Sequence, residues 1–227
     1  GLDNDWLDTD VDQIVEDEDL NEREKDLLEN SSSRIIEVIK RDERLEKIAQ
    51  DIAHHFPRRG FLGKGMVISV DKFTAVKMYD KVQHYWQEEK KALIKERNAE
   101  KDAKKRDELT NRLNYMDNVE MAVVVSEEAD EVQKFKAQGL DIESHRKKMN
   151  EITPEGKDIE DRFKDKDDNL QLVFVCAMWL TGFDVPSLST LSLDKPIKNH
   201  TLMQAIARAN RAFPGKTCGN PNHTENV

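Results

Sequence analysis

The chain has 227 residues, 37% of them hydrophobic and 36% charged. Lys and Arg number 36 against 46 Asp and Glu, a formal net charge of -10, which excludes a small basic nucleic-acid module that works by neutralising phosphates. The only cysteines, Cys176 and Cys218, exclude a disulfide framework and fit a reducing, cytoplasmic setting.

The chain opens on Gly1, so it is read as a piece of something longer or a trimmed product. No basic stretch followed by an apolar one marks a signal peptide. Thirteen acids against Arg23 and Lys25 give residues 1–30 a net charge of -11 and leave the rest near +1. Such a run is expected to be a solvated linker. A docking arm using Trp6, Leu7, Val11, Ile14 and Val15 is the sharper alternative.

After Ser31-Ser32-Ser33, Ile35, Ile36, Ile39, Leu45, Ile48, Ala49 and Ile52 recur near helical spacing. This helix should stop at His54-His55-Phe56-Pro57, because proline disfavours helix before it. Gly65 to Val70 predicts a buried strand. Asp71 predicts a helix cap, and Phe73, Val76, Tyr79 and Val82 give the helix an apolar face. That helix continues past Trp86 into a mixed-charge stretch, Glu88 to Glu108, read as a solvated helix or helical hairpin.

Met121 to Val125 predicts a second strand, and Ser126-Glu127-Glu128 a capped helix start. Thr153-Pro154-Glu155 predicts another helix start. A third strand is expected from Leu170 to Ala177, a fourth from Thr190 to Leu193, and a last helix from about Asn199 to Ala212. The longest apolar run, Leu172 to Leu180, is too short to cross a membrane, which takes about 20 residues. Continuously apolar strands alternating with helices predict an α/β fold with a parallel sheet covered on both faces.

The last helix carries the first candidate chemistry. At helical spacing Gln204, Arg208 and Arg211 share one stripe, while Leu202, Ile206, Ala209 and Phe213 share the other. Two guanidiniums facing out together suit a polyphosphate, because each planar fork can bind oxygens in pairs; two ordinary surface arginines are the bland reading. The second candidate is Thr181-Gly182-Phe183-Asp184-Val185-Pro186. It follows the third strand, where ligands of open α/β sheets bind, although a plain strand-exit turn reads the same way.

Weaker candidates complete the set. Arg146, Lys147 and Lys148, after His145, and Lys104-Lys105-Arg106 are basic clusters able to touch phosphates or simply to be solvated. Cys218 with His223 falls short of a zinc site. His54-His55 reads as a polar helix end, and Cys176 as an inert core residue. Glu88-Glu89-Lys90 and Glu155-Gly156-Lys157 match the letters of a nuclease E-x-K but not its strand context.

In order and spacing, Thr181 to Pro186 resembles motif V of the second RecA-like lobe of superfamily 2 helicases and translocases. Gln204-Ala205-Ile206-Ala207-Arg208-Ala209-Asn210-Arg211 resembles motif VI. The Gly65 to Val82 strand and helix sit where motif IV belongs. The run Phe174 to Leu188, then Leu193-Asp194-Lys195-Pro196 and the Gln204 to Arg211 helix, resembles the R (restriction, motor) subunit of type I restriction enzymes. Ala207 stands where the broad pattern has glycine, as it does in R subunits.

The resemblance implies a RecA-like lobe over residues 31–217, with an added helical segment over about 71–110, the acidic arm 1–30 and a polar tail 218–227. It implies that Arg208 and Arg211 are arginine fingers toward the γ-phosphate of ATP, with Gln204, Gly182 and Asp184 at the nucleotide. Thr181 would couple to the DNA backbone.

A phosphate-binding loop needs G-x-x-x-x-G-K and then Ser or Thr, which Gly60 to Gly65 does not supply. The first motor lobe is therefore expected elsewhere, as is the Mg²⁺ that accompanies ATP in the parent enzyme. The domain is expected to lack its final strand and, alone, to bind nucleotide poorly and hydrolyse none. Implied partners are that first lobe, double-stranded DNA, and the methyltransferase and specificity subunits of a type I complex, with no membrane. A non-catalytic docking module, or a lobe of another superfamily 2 helicase, is the alternative.

Overall fold

Three of the apolar runs are buried on consecutive residues, so they present apolar side chains to both faces of a sheet. The computed structural model describes residues 36–59, 63–176, 179 and 188–194. Its strands are β1 (Lys64–Ser69), β2 (Glu120–Val124), β3 (Leu170–Val175) and β4 (Leu188–Asp194). Every pairing is parallel, in the order β2-β3-β1-β4. The register aligns Val124, Val175, Ile68 and Leu193 across the sheet. All four strands therefore release the chain at one edge. The expected α/β class with a parallel sheet is what the chain adopts. The acidic arm, the last helix and the polar tail lie outside the described residues.

The helix expected from Ile35 comes in two pieces. Residues 36–39 form a helical turn, the chain breaks at Lys40 and Arg41, and α1 spans Asp42–His55. The cause is visible in the letters. Three and four residues after Ile39, where a continued helix needs apolar side chains, stand Asp42 and Glu43. The break moves them into the first turn of α1, where carboxylates favour the helix dipole. A 3-10 turn, Phe56–Arg58, ends the segment at Pro57.

Asp71 caps α2 (Lys72–Ala99) as expected, its carboxylate accepting from the Thr74 amide at 2.7 Å. The mixed-charge stretch is a helical hairpin, with α3 at Ala103–Asn118. It holds together because a seam of apolar residues runs through the charges. Leu93, Leu109, Leu113 and Met116 are buried, and the Trp86 indole donates to the Met116 carbonyl at 3.2 Å. The added helical segment thus reaches to Asn118.

Two expected helix starts are corrected. Residues after Val125 do not enter a helix at Ser126; α4 begins at Glu131 (Glu131–Ala137). The carbonyls of Val125 and Ser126 accept from Arg146 at 2.9 and 3.3 Å, which holds this exit out of a helix. Thr153-Pro154 opens a turn instead of a helix. The Gly156 amide donates to the Thr153 carbonyl at 2.9 Å, and Gly156 has φ +83°, a conformation that suits glycine. After α5 (Glu143–Met149), α6 (Ile159–Lys164) starts with Asp158 as its cap. Gly65 is required by packing: a Cβ there would overlap the Phe56 ring and sit 2.9 Å from Leu172 Cδ1.

Candidate functional site

The carboxyl edge of a parallel sheet is where such folds bind ligands. Here Ser69 ends β1, Val125 and Ser126 follow β2, and Cys176 follows β3. The Ser69 hydroxyl is buried with no hydrogen-bond partner among the described residues. The Asp71 carboxylate also pairs with Lys40 at 2.6 Å. Cys176 is buried at the strand end, as expected.

From Cys176 the chain enters the stretch that contains Thr181, Gly182 and Asp184, which lie outside the described residues, and re-enters the sheet at Leu188. β3 and β4 flank β1, so Val175 and Leu188 lie on opposite sides of it. Trp179 lies on the way in. Its φ of +65° is a left-handed conformation costing roughly 1–3 kcal/mol for a bulky residue. Its ring stacks on Phe163 at 5.7 Å and 18°. Sequence reasoning missed this anchor, whose only signal was a tryptophan just past an apolar strand. Gln204, Arg208 and Arg211 also lie outside the described residues.

The basic cluster on α5 is described. Buried His145 packs edge-on against Tyr79 at 4.6 Å, and burial pushes its pKa down. Arg146 forms a fork on Glu131, Nε to Oε1 at 2.9 Å and Nη2 to Oε2 at 2.7 Å, besides its two carbonyls. Lys148 donates to the Met121 carbonyl at 2.8 Å and pairs with Glu120 at 3.5 Å. Lys147 is exposed. Beside them a groove of about 550 Å³ is lined by Glu127, Glu128, Asp130, Glu131, Arg146 and Lys147. Carboxylates dominate it, so its field opposes a phosphate. Glu128 is held below the usual carboxylate range by Lys134, then Lys72.

The amino edge of the sheet carries a different charge. Lys64 is fully buried, and its ammonium donates to the Leu170 and Asp168 carbonyls at 2.7 and 2.8 Å and to that of Arg162 at 3.5 Å. Burial pushes it down to about 8, with Asp168 and Asp165 opposing. Arg162 forks onto Asp168 at 3.0 and 3.1 Å and reaches Glu120 at 3.0 Å.

His54 and His55 meet carboxylates, Glu89 and Asp51, both at 3.2 Å. Glu88-Glu89-Lys90 lies in α2 and Glu155-Gly156-Lys157 in a turn, neither on a strand. Among the described residues, no group of three or more His, Cys, Asp or Glu is arranged to hold a metal ion, and no helix is long and apolar enough to cross a membrane.

Four parallel strands in the order β2-β3-β1-β4, with helices packed on them, make an α/β lobe that fits a RecA-like fold. Residues 64–221 match the family described as type I restriction enzyme subunit R domain 3. The chain belongs to that family. It is 31% identical over 220 residues to a Methanocaldococcus jannaschii protein provisionally named the type I restriction enzyme MjaIXP endonuclease subunit, covering 96% of this chain and 17% of that protein. A second protein of that organism, provisionally named the MjaVIIP endonuclease subunit, is 28% identical over 204 residues, 89% of this chain and 17% of its own length. The HindI endonuclease subunit of Haemophilus influenzae is 57% identical over 63 residues, 28% of this chain and 6% of that protein. The chain thus spans only a small part of the relatives it matches.

Proposed function

We propose that this chain is the second lobe of an ATP-dependent DNA translocase motor within a type I restriction endonuclease subunit. In this reading residues 31–217 are the lobe and 1–30 and 218–227 its flanks. Arg208 and Arg211 reach the γ-phosphate of ATP from across a cleft, where positive charge stabilises phosphoryl transfer. Gln204, Gly182 and Asp184 contact the nucleotide, and Thr181 contacts the DNA backbone. The cleft's other wall, with the phosphate-binding loop and the ligands of Mg²⁺, belongs to the first lobe. The wider partners are duplex DNA and the methyltransferase and specificity subunits, in the cytoplasm.

One observation carries the reading. β3 ends at the carboxyl edge of a parallel sheet, and the Thr181 to Pro186 stretch lies in the sequence between that strand end and β4. The fit to nucleotide is chemical: two guanidiniums and an amide on one helical stripe are donors only or donor-rich, as polyphosphate oxygens require.

The test uses the intact subunit that carries this chain. Arg208→Ala and Arg211→Ala, made singly, are assayed for DNA-stimulated ATP hydrolysis beside nucleotide binding. The expected result is a loss of turnover of roughly 10³-fold or more with binding largely kept. Unchanged turnover in both variants would make them surface arginines and end the motor assignment of this lobe.

A further inference from the structure

The α2–α3 hairpin turns at Glu100–Asp102, and its tip is basic. Residues 95–107, those within about 6 Å of the turn along the helix axes, hold six Lys and Arg against Glu96, Glu100, Asp102 and Asp107. Lys95, Lys101, Lys104, Lys105 and Arg106 are all exposed. None of these five has an ion pair among the described residues. Two of the four local acids are turned to the backbone. Glu100 accepts from the Asp102 amide at 2.9 Å, and Asp102 accepts from the amides of Lys104 and Lys105 at 2.8 and 3.1 Å.

Six lysines elsewhere in the molecule are used differently. Lys40, Lys72, Lys81, Lys134, Lys157 and Lys164 each meet a carboxylate. The tip also works against its own helix. The first turn of α3 has no acid and carries three bases, at the end where the dipole disfavours cations. Neither packing nor pairing accounts for that placement. At 1.5 Å per residue, all five bases lie within about 6 Å, measured along either helix axis, of the helix ends at the turn. They form one compact cationic surface, and the last buried side chains before it are Leu93 and Leu109.

We propose that this tip is a contact for the sugar–phosphate backbone of duplex DNA, separate from the nucleotide edge of the sheet. The choice of DNA rests on the motor reading above. Flexible lysines without fixed partners suit phosphates, whose spacing along the duplex varies little with sequence, and they carry no base readout. The surface therefore holds DNA without selecting a site.

The test measures binding of a labelled duplex of arbitrary sequence to the intact subunit, without nucleotide, over a range of salt. One variant combines Lys95→Gln, Lys101→Gln, Lys104→Gln, Lys105→Gln and Arg106→Gln; a control carries Lys47→Gln and Lys77→Gln. The tip variant should bind at least tenfold more weakly at low salt. The slope of log K against log salt should flatten by up to about 4.5, the value for five lost phosphate contacts. The control should change neither. ATP hydrolysis without DNA and the unfolding midpoint should be unchanged, which separates a lost contact from a lost fold. Unchanged affinity and slope would overturn the proposal. So would unchanged DNA binding with weakened association between purified subunits, which would assign the tip to an acidic protein surface. The assay reads binding without turnover, so it stands whether or not Arg208 and Arg211 prove to be arginine fingers.

Discussion

His145-Arg146-Lys147-Lys148 and Lys104-Lys105-Arg106 look alike as letters and differ in every physical respect. In the first, the histidine is buried, the arginine is forked onto Glu131 and two carbonyls, and Lys148 bonds the Met121 carbonyl. Only Lys147 is left facing solvent. In the second, all three side chains face solvent with no carboxylate among the described residues. A basic run is a statement about composition. What it can bind depends on how much of its charge the chain has already used. The first cluster shapes the exit of β2; the second has nothing inside the molecule to shape.

Lys64 is the limiting case of a charge used internally, so its loss should be the largest effect. Lys64→Ala removes the donor of three carbonyls and leaves a cavity at the start of β1, at about 3–5 kcal/mol in denaturant unfolding. Lys64→Met keeps most of the volume and should cost less, about 1–3 kcal/mol. The pH dependence has a definite sign. Below about pH 8 the ammonium keeps its proton folded and unfolded, so pH has no effect through it. Between about 8 and its ordinary 10.5 only the unfolded state keeps the proton, so this group makes stability rise with pH. The difference between wild type and Lys64→Met should therefore change across that window and stay flat below it. A difference that is flat throughout would mean that the ammonium is hydrated.

Arg146 comes next. Arg146→Ala leaves the nearly buried Glu131 carboxylate without its fork, at about 2–4 kcal/mol. Arg146→Lys should recover only part, because one ammonium cannot serve both carboxylate oxygens and the carbonyls of Val125 and Ser126. A cost below about 1 kcal/mol for Arg146→Ala would erase the contrast between the two clusters.

Strand-forming runs were legible because burial on both faces writes itself as continuous apolar sequence. The Asp71 cap was legible because it is local. The failures have more than one cause, and tertiary contact is the clearest. Nothing near Ser126 in sequence announces that Arg146, twenty residues on, will take its carbonyl. The turn at Thr153 is local by contrast, closed by the Gly156 amide on the Thr153 carbonyl, and Gly156 was its legible signal. Lys64 was missed because a lysine at a strand start is ordinarily exposed. Of the candidate site, the strand context could be read from the letters, since β3 spans Leu170–Val175 as the apolar run indicates. The anchoring of Trp179 on Phe163 could not, since the two are partners across the fold.

Lys148 should matter less than Arg146, because its ion pair with Glu120 is partly solvated and one hydrogen bond to Met121 is at stake. Lys148→Gln is expected to cost about 0.5–1 kcal/mol in the same unfolding assay. The smallest stability change belongs to the tip, and there its sign is the point. Lys105 is the third residue of α3 after the Asp102 cap. Lys105→Glu relieves a cation at the positive end of the helix dipole and creates the pattern of a capping box. It should leave stability unchanged or raise it by about 0.3–1 kcal/mol. The same substitution puts a negative charge against the phosphates of a bound duplex, so affinity at low salt should fall severalfold. A residue retained for the hairpin's stability would move both quantities down together. Opposite movement, a firmer hairpin that holds DNA less well, is what a cation kept at a helix start for its ligand must show.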